Sequence, residues 1–140
     1  MIPKFRFWYE REDYYPDENY MRDVWKIEYI ADSKIELNDD YIFNPYTNAA
    51  ENIYAKAKIY LMQSTGLKDK NGVEIYEGDV LFHPLQGRRK VYYPYSETVA
   101  SYGLRDIDNG FGSTLQDSHA VWEVIGNIYE NLELLERGAE

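Results

Sequence analysis

Cysteine is absent from this 140-residue chain, and histidine occurs only twice. Without a thiol there is no disulfide, no thiolate nucleophile and no Cys-ligated zinc. Two histidines are too few to suggest a dedicated transition-metal site, so neither a metal nor any other cofactor is expected. Long apolar runs are missing as well: none approaches the roughly 18 residues that a membrane span requires. The opening Met1-Ile2-Pro3-Lys4-Phe5-Arg6-Phe7 alternates charge with aromatics and has no apolar signal-peptide core. Cytoplasmic residence, with no membrane partner, is the expectation. Positive charge is scarce: 15 Lys and Arg stand against 25 Asp and Glu, a net charge of −10. Such a surface repels phosphate backbones, so nucleic acid is not an expected partner. It serves solubility first.

What is present is tyrosine. The chain has 15 Tyr and 3 Trp against 5 Phe, within a hydrophobic content of 44%. That content is enough for a packed core, and 140 residues suit one domain, or a core with an elaborate arm. Tyr fits a pleated, half-buried surface, with its ring packed and its hydroxyl reaching a partner. The bias points to strands and interfaces.

Period-two alternation supports this reading. Lys4 to Tyr9 reads as a strand with Phe5, Phe7 and Tyr9 on one face. Val24 to Ile30 places Trp25, Ile27 and Tyr29 together, and shorter strands are expected at Ile35–Leu37 and Tyr41–Phe43. Asn48 and Glu51 have the spacing of a capping box, and the alanines around them favour helix. Yet Ile53, Ala55, Ala57, Ile59 and Leu61 keep strict alternation, which predicts a strand from about Tyr54 onward. Turn residues then crowd from Thr65 to Gly72, and Glu77-Gly78-Asp79 leads into Val80-Leu81-Phe82. Lys90 to Tyr93 and Val121 to Ile125 are further strands. Asn131 has the form of an N-cap for a short C-terminal helix, Leu132 to Arg137, stopped by Gly138. Leu67, Ile75, Val80, Trp122 and Ile125 are the expected core.

No catalytic set emerges. Asp106-Ile107-Asp108-Asn109-Gly110 has the beginnings of a calcium loop, but Phe111 and Asp117 stand where its glycine and bidentate glutamate belong. Asp117-Ser118-His119 has hydrolase residue types, yet triads assemble in space and no Gly-x-Ser-x-Gly elbow exists. Gly110-Phe111-Gly112 lacks the third glycine and following helix of a phosphate loop. Arg88-Arg89-Lys90 is the one basic cluster; it reads as a solvated hairpin, with contact to a phosphate or an acidic partner as the alternative that the global acidic field opposes. The chain is not expected to be an enzyme.

Two segments together carry a family resemblance. Leu61-Met62-Gln63-Ser64-Thr65-Gly66-Leu67-Lys68-Asp69-Lys70-Asn71-Gly72 runs into Val73-Glu74-Ile75-Tyr76-Glu77-Gly78-Asp79-Val80. Near the C-terminus stands Glu123-Val124-Ile125-Gly126-Asn127-Ile128-Tyr129-Glu130-Asn131, and Lys4-Phe5-Arg6-Phe7-Trp8 is a weaker third match. The chain resembles the YopX family, small proteins encoded by phages and prophages of Gram-positive bacteria. Two departures are visible: Leu132 stands where members usually have proline, and Phe7-Trp8-Tyr9 where they continue Ala-Trp-Asp. The resemblance implies a mainly β fold and an SH3-like barrel core, residues 58–140. Residues 1–57 would then form an additional N-terminal strand arm. It also implies a tendency to self-associate, and no catalytic residue. The expected role is a phage accessory protein in the host cytoplasm, acting through protein–protein contacts as a homo-oligomer, or with a host or phage protein. Trp8, Trp25 and Tyr29 are the candidate interaction residues. The alternative is an acidic DNA mimic that occupies a host nucleic-acid enzyme.

Overall fold

The computed structural model describes residues 4–12, 19–51, 56–93, 101–108, 110 and 112–136. It is mainly β, and the chain divides into two compact units, Met1–Gln63 and Ser64–Glu140. Among the described residues no helix is long and apolar enough to cross a membrane.

The first unit contains β1 (Phe5–Arg11), β2 (Tyr20–Asp23), β3 (Ile27–Ala31), β4 (Lys34–Leu37), β5 (Tyr41–Phe43) and the beginning of β6 (Ala57–Lys68). β1 lies between β2 and β6, antiparallel to both, while β3, β4 and β5 form a separate three-stranded sheet in that order. Alternation in β1 buries Phe7 and Tyr9, and these pack with Leu37, Phe43, Ala57 and Ile59. Trp8, on the opposite face, is buried as well. Three tyrosines complete this core. Tyr9 stacks on Tyr20 with ring centroids 4.9 Å apart, and the Tyr20 and Tyr41 hydroxyls lie 2.7 Å apart. Burial, reinforced by that hydrogen bond, pushes the Tyr20 hydroxyl above its ordinary range. Part of the tyrosine excess is therefore core rather than interface.

The strand expected from about Tyr54 is described from Ala57, while Tyr54 lies outside the described residues. Alternation buries Ala57 and Ile59 and then breaks, so that Met62 is buried in place of Leu61. Asn48 is not a helix cap; it takes a left-handed conformation, and Ala49 and Ala50 bridge to Lys58 and Phe43.

In the second unit β7 (Glu74–Tyr76) pairs with the end of β6. Then β8 (Asp79–His83), β9 (Gly87–Tyr92), β10 (Gly103–Asp106) and β11 (Gly112–Thr114) run as an antiparallel meander. β12 (Glu123–Asn127) is added on the free side of β8. This five-stranded sheet is a curled half-barrel whose ends are β11 and β12. Ile75, Leu81, Val91, Leu104, Leu115 and Trp122 fill its concave side. Of the expected core, Ile75, Val80 and Trp122 are buried and Leu67 packs partly against them. Ile125 is 37% exposed instead, beside a register shift between Val124 and Gly126 that breaks the alternation.

The expected C-terminal helix is a single 3-10 turn, Leu132–Leu135. The Asn131 side chain does not cap it; its carbonyl oxygen accepts the Asn127 backbone N–H at 3.1 Å. The buried guanidinium of Arg88 then donates to the carbonyls of Leu134 (2.5 Å) and Glu136 (2.7 Å). Those acceptors are satisfied by Arg88, and Glu136 itself is extended, so the turn does not propagate.

Candidate functional site

The strongest candidate site is the outer edge of the three-stranded sheet. Leu37-Asn38-Asp39-Asp40 joins β4 to β5, with Asn38 and Asp39 both at positive φ and the Asp40 N–H donating to Leu37 O at 3.2 Å. That is the geometry of a tight hairpin turn whose handedness matches strand twist. Asn38 does more than turn the chain. Its buried Oδ1 accepts the backbone N–H groups of Trp25 (2.9 Å) and Lys26 (3.3 Å), and its Nδ2 donates to Asp23 O at 2.9 Å. One side chain thereby holds the segment that presents Trp25.

Register then decides what the edge displays. Ile27 opposes Leu37 and Tyr29 opposes Ile35, while across β4 those two residues face Tyr41 and Phe43. Side chains alternate along a strand, so Ile27 and Tyr29 stand on the face that is core at β4 and β5. At β3 that cover ends. Every residue of β3 is exposed; Trp25 keeps 69% of its surface in contact with solvent and Tyr29 keeps 67%. Among the described residues β3 has β4 as its only sheet neighbour. The site is thus an unpaired strand edge with an apolar face beside it.

Its charges are local and mixed. Lys26 bonds the Asp39 carboxylate at 2.5 Å and approaches Glu28 at 3.7 Å. The bond to Asp39 raises the Lys26 ammonium above its ordinary value. Lys34 pairs with Glu51, and the Tyr29 hydroxyl donates to Asp32 O at 2.8 Å, which fixes the ring outside the hairpin turn.

Of the three residues singled out from the sequence, Tyr29 is exposed on β3 and Trp25 is exposed at the bend that precedes it. Trp8 is not part of this surface, being 7% exposed within β1. Asn38 escaped the sequence reading; an Asn-Asp pair between two short strands was its available signal. The remaining candidates have structural work. His119 Nδ1 lies 2.6 Å from Lys68 O, Asp117 accepts the Thr114 hydroxyl, and Ser118 Oγ accepts the Trp122 indole N–H. No triad forms from these three neighbours. The basic cluster is not a solvated hairpin: Arg88 is buried, and Arg89 donates to Ser113 Oγ at 2.7 Å and lies over the Trp122 ring. Among the described residues no group of three metal-ligating side chains converges.

A family model described as YopX protein matches residues 4–136, which includes both units. A solved structure, protein EF1440 from Enterococcus faecalis, is similar at 26% identity and a TM-score of 0.49, covering 97% of this chain and 99% of its own. No curated protein matches.

Proposed function

The chain belongs to the YopX family, and from that premise we propose that it acts without catalysis, as a homo-oligomer joined along β3. One observation carries the reading: an apolar sheet face continues past its own cover onto an unpaired edge strand. Natural proteins charge, shorten or cover such edges, and pairing covers them best. Trp and Tyr also supply interface area while keeping a polar handle.

A second copy suits the edge better than a strongly charged partner. Between Val24 and Leu37 two lysines stand against three carboxylates, a nearly balanced patch in a chain of net charge −10. Two such patches meet with little repulsion. An antiparallel pair centred on Tyr29 sets Lys26 of one copy opposite Asp32 of the other, a self-complementary arrangement of the kind a two-fold axis requires. The wider role is that of a phage- or prophage-encoded accessory protein in the host cytoplasm. The DNA-mimic alternative needs unopposed rows of carboxylates, whereas here Glu12, Glu51 and Asp39 are paired with lysines. Light scattering on the purified chain tests the proposal. The expected mass is a multiple of 16.6 kDa, and a strictly monomeric mass at micromolar concentration overturns it.

A further inference from the structure

Lys90 on β9 and Arg105 on β10 are direct register partners, so their side chains leave the same face of the half-barrel sheet. Like charges placed opposite each other on neighbouring strands repel. Neither is neutralised: among the described residues no carboxylate forms an ion pair with Lys90 or Arg105. The Arg105 guanidinium lies 4.7 Å from the centroid of the Tyr92 ring, a contact that occupies none of its hydrogen-bonding capacity with an acceptor oxygen. In a chain with ten more acids than bases, two adjacent cations with no carboxylate partner among the described residues stand out.

They also share a cavity. Lys90 and Arg105 line a cleft of about 330 Å³ with Ile107, Gly110, Leu135 and Asp106. That volume lies at the lower end of the range for small-molecule sites. Asp106, the only carboxylate among the described lining residues, is already engaged: its Oδ1 accepts the Asp108 N–H at 2.8 Å and its Oδ2 lies 3.9 Å from Arg89 Nε. The outer wall is held in place by the third cation of this face. Arg88 bonds the carbonyls of Leu134 and Glu136, on either side of Leu135, and so keeps the Leu135 segment against the sheet.

We propose that this cleft binds a small phosphomonoester with an apolar body. The dianionic phosphoryl group would bridge the Lys90 ammonium and the Arg105 guanidinium, relieving their repulsion with charge-assisted hydrogen bonds. Its organic part would lie against Ile107 and Leu135. The acidic remainder of the molecule does not forbid this, because at physiological ionic strength fields decay over about 8 Å.

Phenyl phosphate titrated into the ¹⁵N-labelled full-length chain, at constant ionic strength, tests the proposal. Saturable shifts are expected at the amides of Arg105, Ile107 and Gly110, with a Kd of about 1 mM for a ligand of this size. Lys90→Gln and Arg105→Gln should each weaken binding about tenfold while the other amides keep their native positions. Two variants on separate strands preserve the comparison if one of them fails to fold. Inorganic phosphate, without an apolar body, and benzoate, with a single charge, should both bind more weakly. The proposal is overturned by shifts that do not saturate, by binding unchanged in both variants, or by either control binding as tightly as phenyl phosphate.

Discussion

Asp69 shows how one turn residue can organise a unit. Its Oδ1 accepts the N–H groups of Asn71 (2.8 Å) and Val73 (2.9 Å), and its Oδ2 accepts that of Val124 on β12 (2.9 Å). Burial disfavours the carboxylate, but the three donors outweigh it and hold Asp69 below its usual range. A depressed carboxyl value contributes stability that is present above the unfolded value, about pH 3.9, and is lost as pH falls through the folded one. Asp69→Asn keeps one oxygen yet sets an NH₂ against the Val124 N–H. It should cost about 1–3 kcal/mol at neutral pH. It should also flatten the loss of stability below pH 4, as measured by denaturant unfolding across pH. Gly126 is the second residue with a legible constraint. A Cβ there would stand 2.5 Å from Asn131 Oδ1 and 2.8 Å from Leu134 Cδ1. Gly126→Ala should therefore cost about 1–3 kcal/mol by overpacking, read as a lower urea midpoint with an unchanged slope.

At the scale of the element, the chain's own alternation explains most strands. Phe7 and Tyr9, Ala57 and Ile59, and Leu37 with Phe43 are buried where period two places them. Ile27 and Tyr29 share a face as the spacing implies, whereas the expected strand begins only at Ile27 and leaves Trp25 at a bend before it; whether that face is covered is a property of the sheet and not of the segment. A core strand and an edge strand carry the same pattern, and β3 is an edge only because nothing pairs beyond it among the described residues. The oligomer proposed above should respond accordingly. Trp25→Ala should weaken self-association by about 2 kcal/mol or more, whereas Lys56→Ala should change it little. Sedimentation velocity over a concentration series measures both. Equal effects of the two substitutions would place the interface elsewhere.

Across the whole molecule the acid excess governs encounter with other polymers. The cations that might have offset it are partly consumed inside the fold: Arg88 holds backbone carbonyls, and Arg89 is bound to Ser113 and lies near Asp106. Duplex DNA binding needs several free cations to displace condensed counterions. No binding is therefore expected near physiological salt, and a salt-sensitive, micromolar fluorescence titration would contradict this.

The amino-acid sequence by itself determined the class of the fold, most strand positions and the absence of a recognisable catalytic set, because alternation, turn chemistry and residue types are local properties. It also carried the family, through two segments far apart in the chain. Only the tertiary structure explains why those segments belong together: Asp69 of one binds Val124 of the other, and Ile128 N–H donates to Gly78 O at 2.9 Å. Tertiary contacts likewise decided the details that local pattern misread. Asn131 looked like a helix cap, but its side chain meets Asn127, and Arg88 takes the carbonyls beyond it. Ile125 looked like core, but the irregularity in β12 turns it outward. In each case the deciding partner lies elsewhere in the fold, and burial or hydrogen bonding by a distant residue leaves no mark on the spacing of its neighbours.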